Sequence, residues 1–176
     1  MKIRLAKENT MFNFGIFFTG VVVLMALFAG ILSPHDYAKQ DLKLALRPPC
    51  WAKGGSWTYP LGTDHLGRDL LSRILHGARV SLLVGVGSVL IGSTIGIFLG
   101  LISGFYGGWV DSLIMRIADI QLSFPAIFLA IALMAFIPPS IWSIILVLGV
   151  VTWIQFGRVS RGSTLSVKEK DFVEAA

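Results

Sequence analysis

The fold is decided by residues 80–110, VSLLVGVGSVLIGSTIGIFLGLISGFYGGWV, a run without a charged side chain. The hydrocarbon core of a bilayer is about 30 Å thick, and a helix needs roughly 20 apolar residues to cross it. This run is long enough for one crossing. Its apolar residues are continuous, whereas strands of a membrane β-barrel alternate apolar and polar positions. The run therefore predicts an all-α membrane protein.

Small residues recur at every fourth position of this run, at Ser88, Gly92, Gly96, Gly100 and Gly104. Positions four apart lie on one face of a helix. Small side chains at that spacing allow a neighbouring backbone to approach closely. A face that lines a transport pathway would also use small residues. We favour helix packing. A single GxxxG motif is weak evidence for a packing face, whereas four consecutive four-residue steps are strong evidence for one.

Two further runs, residues 9–34 and 120–157, also lack charged side chains. Pro138-Pro139-Ser140 interrupts the second run and indicates a turn. Of the 176 residues, 55% are hydrophobic and 14% are charged, whereas about 25% of a soluble domain is charged. These features predict a polytopic membrane protein that begins with a cytoplasmic tail over residues 1–11. The predicted transmembrane helices are 12–32, 80–102, 109–137 and 141–157.

The first apolar run follows basic residues, as the core of a signal peptide would. It is longer than the roughly 7–15 residues of such a core, and no A-x-A-like site follows it, so we interpret it as an uncleaved anchor. The net charge of +5 does not indicate nucleic-acid binding, because Lys and Arg flank the apolar runs instead of forming one stripe. Cys50 is the only cysteine, which excludes an internal disulfide.

Charge counting leaves the orientation open. The two tails together contain seven Lys and Arg residues, and the loop 33–79 also contains seven. Four helices would place both tails on the same side of the membrane, so the positive-inside rule does not choose between the two orientations.

The loop 33–79 divides into two parts. The first part is rich in Pro, Gly and Trp and predicts an irregular loop on the membrane surface, with Trp51, Trp57 and Tyr59 at the headgroup level. The second part, about residues 64–79, predicts an amphipathic interfacial helix that Thr63 or Asp64 caps.

Hydrophobic and polar side chains separate clearly around this predicted helix. The apolar half consists of Leu66, Leu70, Leu71, Ile74, Leu75 and Ala78. The polar half consists of Arg68, Asp69, Ser72, Arg73, His76 and Arg79. Asp64, His65, Asp69 and His76 could be interpreted as a metal site, but arginines crowd the same surface. We therefore predict a solvated polar face and no metal or cofactor.

The third predicted span begins with unusually polar residues. Polar and helix-breaking residues in its first part include Asp111, Arg116, Asp119, Gln121, Ser123 and Pro125. Arg116 and Asp119 stand three residues apart and can pair, and Pro125 removes a hydrogen bond from the helix. Ionisable groups in a span usually face protein or water. Two interpretations are equally good. The polar residues could line a transport path or a subunit contact, or they could form a charge pair that fixes the helix ends.

Three stretches of the chain resemble one known family. They are LGTDHLGRDLLSRILHGARVSLLVG (61–85), GLISGFYGGWVDSLIMRIADIQLSFPAIFLA (100–130) and DFVEAA (171–176). Together they are similar to the inner-membrane permease subunits of dipeptide and oligopeptide ABC importers, and most of all to the C-type subunit. Asp119 and Pro125 match the D-x-x-x-x-x-P stretch of that family.

The resemblance implies six transmembrane helices, of which four are present, with both ends of this chain in the cytoplasm of a bacterial cell. Residues 80–176 would form the first part of the permease domain. The implied partners are a second permease, two ATP-binding subunits and a solute-binding protein, besides membrane lipid and without nucleic acid. Glu174, Ala175 and Ala176 match the start of the EAA coupling motif, so the resemblance implies that the coupling segment 158–176 is incomplete.

The implied function is ATP-driven import of dipeptides or oligopeptides, with no catalytic residue in this chain. The chain has no G-x-x-x-x-G-K-[ST] motif, so ATP hydrolysis is expected on the partner subunits. Related permeases for nickel, glutathione or antimicrobial peptides share the same motifs. A secondary carrier or channel that relays ions through Arg116 and Asp119 is the alternative from another class. A membrane enzyme is disfavoured, because His35, His65 and His76 all lie outside the predicted spans.

Overall fold

The computed structural model describes the backbone of residues 2–168 and the side chains of residues 11–168. Every regular element in this part of the chain is helical, and its one β contact is an isolated bridge between Thr63 and Asp69. The predicted all-α class is confirmed. The α-helices are α1 (Lys2–Leu27), α2 (Ala29–Leu32), α3 (Leu70–Tyr106), α4 (Gly108–Leu122), α5 (Ala126–Met134) and α6 (Ile141–Lys168), and Leu42–Leu44 form a 3-10 helix.

The predicted number of four membrane spans is not confirmed. Within the described residues, α3 and α6 are long and apolar enough to cross a membrane. The pair formed by α4 and α5 would be a third span if two helices bent by 91° count as one. The apolar stretch Met11–Leu27 of α1 is shorter than either long helix.

The chain divides into two compact units, one ending at Leu83 and the other beginning at Val84. The first contains α1, α2 and the loop that leads to α3. In that loop, backbone hydrogen bonds join the segment around residues 41–50 to the segment around residues 60–66. For example, the backbone N–H of Cys50 donates to the carbonyl of Pro60 at 3.1 Å. The loop is therefore an ordered structure with its own hydrogen-bond pattern.

The separate amphipathic helix predicted over residues 64–79 does not exist. Residues 64–69 are not helical, and α3 begins at Leu70 and continues without a break to Tyr106. No proline or helix-ending turn separates the amphipathic stretch from the apolar run, so one helix contains both. It ends where Gly107 adopts a positive φ of 63°, a conformation that glycine reaches without steric cost.

The predicted third span, 109–137, is two helices. α4 ends at Leu122 and α5 begins at Ala126, with a bend of 91° between them. Pro125 has no N–H to donate and disfavours helical geometry at Phe124, the residue before it. The sequence predicted a kink at this proline, and the structure has a complete break.

The last helix begins where the sequence predicted and ends later. Ser140 caps α6, because its hydroxyl accepts a hydrogen bond from the backbone N–H of Ser143 at 3.0 Å. The predicted end was residue 157, but α6 continues to Lys168. The charged residues after Gly157 ended the apolar pattern, and they do not end the helix, since Arg and Lys are good helix formers.

In the second unit α3 and α6 run in the same direction. Gly92 lies beside Thr152, and Gly104, further along α3, lies beside Thr164. Two parallel helices require the chain to return between the end of the first and the start of the second. α4 and α5 together provide that return. A small apolar core joins α3, α4 and α6. Its buried residues are Ala118, Trp153 and Ile154, and Ile95, Leu99 and Ile114 pack against them.

Candidate functional site

The small residues of α3 form a contact face with α6, which we call the α3–α6 seam. Its members on α3 are Ser88, Gly92, Gly96, Gly100 and Gly104, and all five are buried. A Cβ atom added at Gly96 would lie 2.8 Å from the backbone nitrogen of Gly157. A Cβ added at Gly100 would lie 2.8 Å from the Cβ of Ser160. Contact at these distances accounts for the absence of side chains along this face of α3.

A carboxylate at the start of α4 joins three helices. Arg161 of α6 donates from Nε to Oδ1 of Asp111 at 2.5 Å and from Nη2 to Oδ2 at 2.6 Å. The hydroxyl of Ser103, a fully buried residue of α3, also donates to Oδ1 of Asp111. We call this group the Ser103–Asp111–Arg161 junction. Two parallel N–H···O bonds make it a bidentate pair, the stronger form of an arginine–carboxylate contact.

The predicted ion pair between Arg116 and Asp119 is wrong. Asp119 instead accepts a hydrogen bond from Nη2 of Arg158, on α6, at 2.7 Å. Both side chains of this pair are more than half exposed, at 61% for Asp119 and 51% for Arg158. Spacing along one helix suggested a local partner, and the tertiary structure provides a different one. Arg158 and Arg161 lie three residues apart on one helix face, a signal in the sequence that could have identified both partners.

The exposed pair should contribute little to stability. We expect a double-mutant cycle of Asp119→Ala and Arg158→Ala to give a coupling energy of about 0.2–1 kcal/mol, because exposed ion pairs are screened by solvent. The same cycle with Arg116→Ala and Asp119→Ala should be additive. Unfolding of the purified protein in detergent provides the measurement. A coupling of Asp119 to Arg116 that exceeds its coupling to Arg158 would contradict the observed pairing.

Gln121 connects the last turn of α4 to the middle of α6. Its Nε2 donates to the carbonyl oxygens of Val150 at 3.2 Å and Val151 at 2.9 Å. Its Oε1 accepts a hydrogen bond from Nε1 of Trp153 at 2.9 Å. The side chain amide therefore has partners for both its donor and its acceptor, directly before the break between α4 and α5. Ser123 is exposed, and its hydroxyl donates to the carbonyl of Asp119 at 2.9 Å, within the same helix end.

A second polar group, in the first unit, organises the loop before α3. Asp64 accepts hydrogen bonds from the backbone N–H groups of Leu66 at 2.9 Å and Arg68 at 3.0 Å. Its other oxygen accepts from Nε of Arg68 at 2.8 Å and from Nη1 of Arg73. Asp64 is 8% exposed. We call this group the Asp64 cluster.

The prediction of a solvated polar face holds for Arg79, which is exposed, but it is wrong for three other residues of this segment. Asp64, Asp69 and Ser72 are all buried, and the last is fully so. The loop packs over the polar side of the first turn of α3, and Oγ of Ser72 donates to Oδ2 of Asp69 at 2.5 Å. A helical wheel shows which side chains share a face. It does not show what covers that face, so this burial could not be predicted from the sequence.

Electrostatics in the Asp64 cluster favour the ionised carboxylate. Burial acts to raise the pKa of Asp64. The hydrogen bonds from Arg68 and Leu66, together with the charge of Arg68, outweigh burial and hold the pKa well below its ordinary value of 3.8. A carboxyl group with a depressed folded-state pKa contributes stability above its unfolded pKa and loses it as the pH falls toward the folded value.

The pH dependence of the loop follows from that shift. We expect the melting temperature of the protein to fall as the pH is lowered below 3.8. In that range the Asp64 carboxyl group binds a proton in the unfolded protein but stays ionised in the folded protein, so acid favours unfolding. Asp64→Asn should reduce the slope of melting temperature against pH. Asp41→Asn, at an exposed position, should keep the wild-type slope. Thermal unfolding between pH 5 and pH 3 in detergent measures both. An unchanged slope in Asp64→Asn would contradict the assignment.

Two sets of predicted residues remain: the candidate metal ligands of the loop and the three residues of the EAA motif. No cluster of three or more His, Cys, Asp or Glu side chains among the described residues could hold a metal ion. His65 is exposed, and His76 stacks on Tyr37 with ring centroids 4.4 Å apart. Glu174, Ala175 and Ala176 lie outside the described residues. The described site is therefore a set of interhelical polar contacts around the α3–α6 seam, which can fix helices relative to one another.

Comparison with protein families gives two matches. A family described as binding-protein-dependent transport system inner membrane component matches residues 96–176. A second family, described as the N-terminal TM domain of oligopeptide transport permease C, matches residues 3–49. The first match begins at Gly96 and includes the second half of the α3–α6 seam, the Ser103–Asp111–Arg161 junction and Gln121.

Curated relatives match nearly the whole chain. The di/tripeptide transport system permease protein DppC of Pseudomonas aeruginosa is 40% identical over 92% of this chain and 54% of its own length. The dipeptide transport system permease protein DppC of Haemophilus influenzae is 37% identical over 97% of this chain and 58% of its own length. The glutathione transport system permease protein GsiD of Pectobacterium atrosepticum is 38% identical over 90% of this chain and 51% of its own length. The chain thus spans about half the length of the curated relatives it matches.

Proposed function

Because this chain belongs to the family of binding-protein-dependent transport system inner membrane components, we propose that it acts as a permease subunit of an ATP-driven importer of dipeptides and oligopeptides. The observation that carries the proposal is the match of family and relatives over the helices that form the α3–α6 seam. A permease alternates between two arrangements of packed helices, which requires helices that move as units. The close contact of α3 with α6 and the polar contacts of α4 support such a unit.

We assign no catalytic residue to the chain. The sequence has no phosphate-binding loop of the Walker type, and the seam supplies structural contacts, not reacting groups. ATP hydrolysis belongs, in this proposal, to two ATP-binding subunits. A second permease completes the membrane part, and a solute-binding protein delivers the peptide. Glu174, Ala175 and Ala176 would begin the segment that docks on an ATP-binding subunit.

Uptake by the assembled transporter tests the proposal. Labelled dipeptide, glutathione and nickel are offered separately to cells that lack their own peptide permease and express this permease with its partner subunits. We expect uptake of dipeptide by the cells, and inhibition of uptake by vanadate enclosed together with ATP in proteoliposomes of the transporter, because vanadate blocks ABC-type ATP hydrolysis. Uptake of glutathione or nickel alone would change the substrate class. Uptake that resists vanadate but collapses with the proton gradient would instead support the secondary carrier.

We propose that the permease is a multi-pass protein of the bacterial inner membrane with both ends of this chain in the cytoplasm. Lys168, at the end of α6, would then be cytoplasmic, and Lys53, in the loop before α3, would lie on the opposite side. Single-cysteine variants at these positions in a Cys50→Ser background are treated with an impermeant maleimide in intact cells with a permeable outer membrane. We expect labelling at position 53 and protection at position 168. The reverse pattern would refute this orientation.

A further inference from the structure

The Ser103–Asp111–Arg161 junction lies at the corner where α3 passes into α4. α3 ends at Tyr106 and α4 begins at Gly108, so Ser103 and Asp111 stand on either side of the corner. Arg161 contacts the same carboxylate from α6 through two hydrogen bonds of 2.5 and 2.6 Å. One carboxylate therefore joins the end of α3 and the start of α4 to a point on α6 that lies seven residues before its last residue, Lys168.

A second contact joins the end of α6 to this corner. Nζ of Lys168 donates to the backbone carbonyl of Phe105, in the last turn of α3, at 3.0 Å. Arg161 and Lys168 are seven residues apart, about 10 Å along a helix. The last two turns of α6 are thus held to the corner at both ends, and a displacement of this part of α6 has to pull on the start of α4.

The Asp119–Arg158 pair differs from the junction in the features that matter for transmitting force. It consists of one contact of 2.7 Å between side chains that are 61% and 51% exposed. The junction has a bidentate pair, its side chains are 21% and 33% exposed, and the buried hydroxyl of Ser103 is a third donor. A planar guanidinium held by two bonds resists rotation, whereas a single exposed contact can break and reform.

We propose that the Ser103–Asp111–Arg161 junction couples the C-terminal turns of α6 to α3 and α4, so that ATP-driven movement of α6 is converted into movement of the α3–α4 corner. The proposal rests on the proposed transport function, because α6 leads into the segment assigned to ATP-subunit docking. Arg161 and Asp111 are positioning residues here and touch no substrate. Without the junction, α6 can tilt while the corner stays in place, and ATP hydrolysis then proceeds without transport.

The test is a comparison of two rates in the same proteoliposomes, which contain the assembled transporter and its solute-binding protein. ATP hydrolysis stimulated by the binding protein and uptake of labelled dipeptide are measured for Arg161→Ala and Asp111→Asn. We expect uptake per ATP hydrolysed to fall about tenfold, within the range typical of coupling between two sites. The peptide concentration for half-maximal uptake should not change, since no substrate contact is removed.

Three further variants separate coupling from stability. Arg161→Lys keeps the charge but cannot form the bidentate contact, so it should give an intermediate ratio. Ser103→Ala should give a smaller loss, because it removes one of three donors. Arg158→Ala, the matched control on the same helix three residues away, should keep the wild-type ratio.

Two outcomes would overturn the proposal. The first is an unchanged ratio in Arg161→Ala, whether both rates stay the same or fall together. The second is an equal loss of the ratio in Arg158→Ala. Failure of the wild-type transporter to import dipeptide would count against the proposed substrate and not against the junction. The ratio of uptake to hydrolysis would then be measured with glutathione or nickel, whichever stimulates hydrolysis.

Discussion

Replacement of Gly96 or Gly100 by leucine is expected to prevent assembly of the permease. At Gly96 the nearest atoms are the backbone of Trp153 and Gly157 and the Cβ of Phe156, at distances under 3.0 Å from an added Cβ. Backbone atoms cannot rotate away as the end of a flexible side chain can. The cost should therefore exceed the about 1–3 kcal/mol of an ordinary overpacked core. α3 and α6 would have to separate along the whole seam.

The chain contains a matched control for this experiment. Gly85 lies on the same helix, and an added Cβ there has no atom within 4 Å. Gly85→Leu should therefore give protein with near wild-type yield, size-exclusion profile and melting temperature in detergent. Gly96→Leu and Gly100→Leu should give aggregated protein or protein that does not co-purify with partner subunits. If all three variants behave alike, close contact between α3 and α6 is not what stabilises the second unit.

Replacement of Asp64 by alanine is expected to unfold the loop before α3. The carboxylate accepts four hydrogen bonds, two from backbone N–H groups and two from the arginines Arg68 and Arg73. Its removal leaves two arginine side chains in a confined space without their shared counterion, and it leaves the N–H groups of the turn without an acceptor. We expect limited proteolysis after Arg47 or Lys53 to become rapid, where the wild-type loop resists.

Asp41 provides the comparison, since it also accepts a hydrogen bond in the loop but is exposed. Its Oδ1 accepts one bond, from the backbone N–H of Lys43 at 3.0 Å. Asp41→Ala should therefore leave the cleavage rate close to wild type, because solvent can replace a single exposed acceptor. Cleavage of Asp64→Ala at the wild-type rate would show that the loop is held by its backbone hydrogen bonds and not by the Asp64 cluster.

Features that depend on neighbouring residues could be predicted from the sequence. The long apolar runs predicted helices, and the four-residue spacing of small residues marked the face of α3 that lies against α6. Pro125 and Pro138-Pro139-Ser140 marked the places where helices end. These signals are local, because helix formation, capping and proline geometry involve residues within about one turn of each other.

Features that depend on distant residues were decided only by the tertiary structure. Asp111 pairs with a residue 50 positions away and Asp119 with one 39 positions away. For Asp119 the sequence had suggested a partner three positions away, and for Asp111 it suggested none. The polar side of the first turn of α3 is buried because the preceding loop folds over it. The bend of 91° after α4 was not predictable from the sequence, because a proline requires a break in the helix but does not fix its angle. A sequence determines which face of a helix is polar or small, and only the packing of the whole chain determines which partner that face meets.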